Sequence, residues 1–247
     1  MNFKDIPKFV VNLDRRLDRL ESISFELSYL GWDWERFPGI DTNSYMGITR
    51  STLEIIKIAK ERNYPRVMII EDDCCVMPYA NSLLNKIESD YPDLEYAIFN
   101  LAPTQNREIK ISEKYPLLLD MTNTPPAPED SRGIYAANMI IYDQSIYDEM
   151  FDIALTGFSS GDYFHALDDF TWKFIVQKKQ SYCPILPIAP QKAGYSNISE
   201  GMYSNWYLQT YNWNRWTEVK IPDEFMDEGR VMEMKRIKEY KDFYYVN

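Results

Sequence analysis

The chain has 247 residues, 45% of them hydrophobic, and a formal net charge of −11. A chain of this length can bury well over half of its unfolded surface, enough for one large domain or two small ones. The acidic balance argues against nucleic acid as a partner, since that binding is dominated by Lys and Arg contacts to phosphate, and no apolar stretch reaches the ~18 residues that suggest a membrane span.

No apolar block of secretory length precedes the first charged cluster, so the expected location is the cytoplasm. Three cysteines, two of them the neighbours Cys74 and Cys75, do not make a disulfide framework, and the single histidine, His165, excludes a His-rich metal site. Cys183 reads as a small buried hydrophobe. The negative charge leaves a nucleotide open as ligand, because a divalent cation can stand between a diphosphate and carboxylates.

In chain order the patterns alternate. Lys8 to Leu13 (KFVVNL) predicts a short strand; behind Asp14, Leu17, Leu20, Ile23, Leu27 and Leu30 recur at helical spacing until Gly31 stops them. Trp32 to Phe37 predicts a second strand closed by Pro38-Gly39. A second helix carries Leu53, Ile56 and Ala59 on one face, with Thr49 or Ser51 as its cap, and ends near Tyr64-Pro65 because a residue before proline avoids the α region. Arg66 to Ile70 (RVMII) is apolar on both faces, as a central parallel strand is. A helix over ANSLLNKIESDY follows, then strands over Tyr96 to Leu101 and Gly133 to Tyr142.

Residues 102–132 hold five prolines and little periodicity, and read as a long irregular excursion of the kind that forms a lid or binding loop or is partly disordered. Helices are expected over DQSIYDEMFDIAL and ALDDFTWKFIVQKK, and in the charged stretch near the carboxyl terminus. Such alternation predicts an α/β layer structure with a mostly parallel sheet, whose ligands bind at the carboxyl ends of the strands.

Glu71, Asp72 and Asp73 stand at one such end. Carboxylates suit Mg²⁺ or Mn²⁺, and Mg²⁺ is usually held by one or two carboxylates plus substrate phosphates. In an extended segment Glu71 and Asp73 would face a shared cation while Asp72 turned to a sugar hydroxyl or a backbone amide; as a bare acidic cluster the triplet is equally a solvated turn or a helix cap. Near the start, Asp14, Arg15, Arg16 and Arg19 crowd a strand-to-helix turn, where free N–H groups and bidentate guanidinium contacts suit a phosphate. The same arginines also fit an exposed helix face paired with Asp18 or Glu21.

Together these stretches resemble glycosyltransferase family 25, the lipooligosaccharide and collagen-galactosyltransferase group. The resemblance rests on VVNLDRRLDRLE, on ERFPGID through Arg36, Phe37 and Asp41, on VMIIEDD, and on the order YAANMII, ALDDF, YCPILPIAPQ and SNIS, over roughly residues 8 to 199. The sequence departs from the family where GITRSTLE keeps Gly47 and Ser51 of a Gly-Cys-x-x-Ser-His segment without its Cys and His, at Ala166, and at Asn197.

The resemblance implies a GT-A-type, Rossmann-like α/β domain with a mostly parallel central sheet over residues 1–199; residues 200–247, outside the resemblance, read as an aromatic and helical extension packed on the same domain. It implies a metal-dependent inverting hexosyltransferase that moves a sugar from a nucleotide-diphosphate donor, a UDP-sugar, to a hydroxyl of a glycan or glycoprotein. Glu71 and Asp73 would hold Mn²⁺ or Mg²⁺. Asn12, Leu13, Asp14, Arg15, Arg16, Phe37, Asp41, Asp72 and Gln191 would line the donor. Asp168, ahead of Asp169, would be the base, although both also fit the start of a helix, where acids favour the dipole. Asp162 and His165 stand as further metal or acceptor contacts.

In the tail Trp206, Tyr211, Trp213 and Trp216 alternate with Asn and Gln. Such rings suit a sugar face, and equally the core or an oligomer contact. The lost Cys and His keep a second function in view, a degenerate domain that binds a glycan or protein partner. A phosphotransferase or nucleotidyltransferase is disfavoured, because the chain has no Gly-rich phosphate loop of the P-loop kind.

Overall fold

A computed structural model describes residues 2–42, 46–101, 104–105, 109–122, 134–135, 138–159, 175–176, 178–192, 194–196, 201–203, 226–230 and 232. In chain order these form β1 (Lys8–Asn12), α1 (Leu17–Leu30), β2 (Glu35–Pro38), α2 (Met46–Glu61), β3 (Arg66–Glu71), α3 (Ala80–Asp90) and β4 (Ile98–Asn100). Then come β5 (Thr104–Gln105), β6 (Leu118–Asp120), β7 (Ile134–Tyr135), β8 (Met139–Asp143), α4 (Tyr147–Ser159), β9 (Ser181–Pro184), β10 (Gly194–Ser196) and β11 (Gly201–Tyr203).

Seven strands make one sheet in the order β2-β1-β3-β8-β4-β9-β6. β2, β1 and β3 are mutually parallel, β8 runs against both β3 and β4, β9 is parallel to β4, and β6 runs against β9. All strands but β8 and β6 therefore point one way, and the fold is the expected α/β, Rossmann-like layer structure. β5 pairs with β7 and β10 with β11 in two small antiparallel ladders.

The layers follow from the two-residue period of a strand. Met68 and Ile70 of β3 face a core with Ile23, Leu27 and Leu30 of α1 and Leu83, Leu84 and Ile87 of α3. Val67 and Ile69 face the opposite core, with Ile55, Ile56 and Ala59 of α2 and Tyr147 and Met150 of α4. Burial on both sides is why β3 shows no polar alternation.

α1 ends as its sequence predicts. Gly31 takes the left-handed conformation at φ 63° and returns its N–H to Leu27 and Ser28. α2 begins earlier than expected, at Met46, so Thr49 and Ser51 are buried inside it rather than capping it. It stops at Glu61, and Asn63 turns the chain at φ 53° before Pro65.

Two further expectations are corrected. The strand expected over residues 133–142 is two short strands, β7 and β8, and β8 is antiparallel to its neighbours. The irregular stretch after β4 contains β6, which completes the edge of the main sheet. Among the described residues no helix is long and apolar enough to cross a membrane.

Candidate functional site

β1 and β3 end side by side, with Val11 level with Glu71, so the turn after β1 and the acids after β3 are neighbours in space. β3 stops at Glu71 and the chain turns over Asp72 and Asp73 before a bridge between Cys74 and Gln191. The triplet is therefore not extended, and alternation of sides does not govern it. Asp72 and Asp73, 7% and 8% exposed, converge on Arg19 of α1, whose Nη1 donates to Asp72 Oδ1 at 3.0 Å and to Asp73 Oδ2 at 3.1 Å.

Asp72 is committed at both oxygens, since Asn12 Nδ2 donates to its Oδ2 at 2.7 Å. Asp73 accepts from Gln191 Nε2 at 3.2 Å, and its backbone carbonyl accepts the Lys192 N–H at 2.6 Å. Its second oxygen, Oδ1, is buried without a hydrogen-bond partner. Glu71 is half-buried, and its backbone N–H donates to the Asn138 carbonyl at 2.8 Å.

Asn12 organises the other half of the site. Its amide also donates to the Arg16 carbonyl at 2.9 Å, and its Oδ1 accepts from Arg36 Nε at 3.2 Å. Arg36 reaches on to Asp14. Arg15 pairs with Asp41, and Arg16 with Asp18 at 2.9 Å. Leu13 is half-buried and its carbonyl accepts the Arg16 N–H at 2.8 Å, while Phe37 of β2 packs on the core shared with α2. The structure thus gathers Asn12, Arg19, Asp72, Asp73 and Gln191 into one network, and turns Arg15 and Arg16 to carboxylates nearer the surface.

The retained Gly47 and Ser51 have a packing role. Ser51 Oγ accepts the Ile40 N–H at 2.9 Å and donates to the Gly47 carbonyl at 2.8 Å. A Cβ on Gly47 would lie 2.4 Å from the Ile40 carbonyl oxygen. This clasp fixes the turn that carries Asp41.

Electrostatics follow from burial. Desolvation first, and then the charge of Asp73, push the Asp72 carboxyl above its ordinary range, while Arg19 and Asn12 oppose them. Burial alone would lower the Arg19 guanidinium, but Asp73 and Asp72 outweigh it and hold it above its ordinary value. Desolvation raises the Cys74 thiol well above its usual range and pushes Cys75 up to about 12. Raised in this way, both thiols favour the protonated form, which is the less nucleophilic one.

Behind the acids lies a buried ion cluster that the sequence reading missed. Glu26, 1% exposed on α1, accepts from Lys192 Nζ at 2.8 Å, from the Val76 N–H at 2.8 Å and from Arg230. It ties together α1, the chain leaving β3, the segment after β9 and the segment around Arg230. The available signal was a glutamate on the apolar stripe of Ile23, Leu27 and Leu30. Asn138, the residue immediately before β8, was missed in the same way; its Nδ2 is buried without a partner.

Asp162, His165, Asp168, Asp169 and the aromatic tail from Trp206 to Trp216 lie outside the described residues. Among the described residues no group of three or more His, Cys, Asp or Glu side chains is placed to hold a metal ion. An open site of one or two carboxylates completed by phosphate oxygens fits the chemistry of Asp73, whose Oδ1 is a buried acceptor lacking a partner.

No family model and no curated protein sequence matches the chain. Among solved structures it is similar to a glycosyltransferase involved in glycosylation of the major capsid of PBCV-1, with 12% identity, a TM-score of 0.43, and 69% of this chain and 76% of that chain covered. It is also similar to the inositol-1-phosphate CTP transferase from T. maritima, with 13% identity, a TM-score of 0.38, and 72% and 65% covered. A third is the glycosyltransferase GlyE in Streptococcus pneumoniae TIGR4, with 11% identity, a TM-score of 0.38, and 99% and 58% covered.

Proposed function

We propose that this protein is a GT-A-type glycosyltransferase similar to family 25, which moves a hexose from a nucleotide-diphosphate donor, a UDP-sugar, to a hydroxyl of a glycan or glycoprotein with inversion. The observation that carries the reading is Asp73 Oδ1, a buried carboxylate oxygen without a partner, at the carboxyl end of β3 where α/β sheets bind their ligands.

Asp73 with Glu71 would hold Mn²⁺ or Mg²⁺, which when bound supplies positive charge for the departing diphosphate. Asp72 is the scaffold of the site, locked by Asn12 and Arg19 so that Asp73 is presented at a fixed place. The turn after β1, with Arg15, Arg16, Phe37 and Asp41, frames the nucleoside. Asp168, or Asp169 beside it, takes the proton of the acceptor hydroxyl. The hydroxyl oxygen then bonds to the anomeric carbon from the face opposite the donor's glycosidic bond. That bond breaks, and the nucleoside diphosphate leaves with its electron pair.

One observation favours a second reading, a domain that binds a glycan or protein partner without turnover. Arg19 already supplies a positive charge to Asp72 and Asp73. Calorimetry against UDP, GDP and CMP and their sugars, with Mn²⁺ and with chelator, separates the two. Metal-dependent binding of one nucleotide, followed by turnover of its sugar, is expected. No response from a folded sample would overturn the transferase and leave the binding domain.

A further inference from the structure

Asn138 stands at the same edge of the sheet as the acids. β8 runs against β3 and β4, so its beginning lies level with their ends: Ile70 pairs with Met139, and the Glu71 N–H donates to the Asn138 carbonyl at 2.8 Å. Cys74 Sγ donates to that carbonyl too, at 3.0 Å. The Asn138 backbone is thereby pinned against both ends of the acidic turn. Its side chain is 2% exposed, and Nδ2, which carries two N–H donors, has no acceptor.

Two buried polar atoms without partners thus flank one turn. Asp73 Oδ1 is an acceptor and Asn138 Nδ2 a donor. A buried amide is ordinarily satisfied within the fold, and a leucine would pack there without loss if packing were all that mattered. A ligand that offers an oxygen acceptor accounts for it.

Position decides which oxygen. Across the edge the order is β2, β1, β3, β8, β4. With the nucleoside over β1 and β2 and the diphosphate at the acids of β3, the next group along a nucleotide sugar falls over β8. We infer that Asn138 is a donor-sugar contact, its amide N–H donating to a hydroxyl oxygen of the transferred hexose. This rests on the function proposed above, and it adds a specificity-determining residue on the far side of the acids from the nucleotide.

The test uses the full chain, wild type and Asn138→Leu, with Asn138→Ala as a second variant. Affinities for UDP and for UDP-glucose, UDP-galactose and UDP-N-acetylglucosamine are measured calorimetrically in Mn²⁺, and urea midpoints are recorded alongside. The expected result is about a tenfold loss for the preferred sugar nucleotide, or ~1.4 kcal/mol, with UDP affinity unchanged and the Asn138→Leu midpoint no lower than wild type. An equal loss for UDP would place the contact on the diphosphate and overturn the sugar assignment. Unchanged affinity for both ligands, or a collapse of the midpoint in both variants, would overturn the role of Asn138 while the transferase reading stands. Failure of the wild type to bind any of the four would remove the sugar contact together with the UDP-sugar donor on which it rests.

Discussion

Arg19 Nη1 donates to Asp72 Oδ1 at 3.0 Å, and the same nitrogen reaches Asp73 Oδ2 at 3.1 Å. One guanidinium therefore balances two adjacent buried carboxylates that would otherwise repel each other. Arg19→Gln should cost about 3 kcal/mol of stability in chelator, because it leaves buried charge uncompensated. Adding Mn²⁺ should restore part of that loss if a cation can take over the same acids. Urea denaturation of the variant with and without Mn²⁺ reads both effects, and a stability indifferent to Arg19 would show that the carboxylates are solvated instead.

Burial, and after it the charge of Asp73, raise the folded-state Asp72 carboxyl above its ordinary 3.8. Between those two values the folded chain holds the proton and the unfolded chain does not, so this group's contribution to stability falls as pH rises through the window. Asp72→Asn removes the titration. Compared with wild type in chelator, the variant should gain relative stability as pH climbs from the ordinary carboxylate value through the raised one, whereas parallel curves for the two proteins would contradict the raised carboxyl.

Asp73→Ala should leave the fold largely intact, since Asp72 keeps Asn12 and Arg19, but should abolish metal-dependent donor binding. Calorimetry with UDP and Mn²⁺ is the readout, beside circular dichroism to establish folding. An unchanged affinity would remove Asp73 from the site.

Gly47→Ala places a methyl group 2.4 Å from the backbone oxygen of Ile40. The contact is to backbone rather than to the end of a flexible side chain, so a loss of about 1–3 kcal/mol is expected, typical of overpacking. Ser51→Ala, which deletes two hydrogen bonds of the same clasp, should cost about 1 kcal/mol. A fully stable Gly47→Ala would mean that the turn carrying Asp41 is looser than the contact implies.

What the sequence revealed and what it hid divide along the range of the interactions. α1 from Leu17 to its stop at Gly31, the doubly buried β3 and the acids behind it were legible because each depends on residues close in the chain. The direction of β8 was not, since GIYAANMIIY reads as a strand whichever way it runs. Nor was the start of α2, where Thr49 and Ser51 look like caps until Ser51 is seen bonding Ile40 from within the helix. In the site, the gathering of acids and arginines was foreseeable, but the choice of partners was not. Arg19 suited a phosphate on paper and in space meets Asp72 and Asp73. The cluster of Glu26, Lys192 and Arg230 joins residues far apart in sequence, and only the odd glutamate on an apolar stripe hinted at it.

The reversed strand also bears on how the chain reaches its folded state. β1, β2 and β3 come from the first third of the sequence and pair with one another. The other flank of β3 waits for β8, and Asp73 waits further for Gln191 and Lys192. Long loops must close before these contacts repay their entropy, which places them late in folding. During synthesis the half that carries the acids emerges well before the half that completes their surroundings, so for that interval β3 is an open edge and a natural place for a chaperone to act.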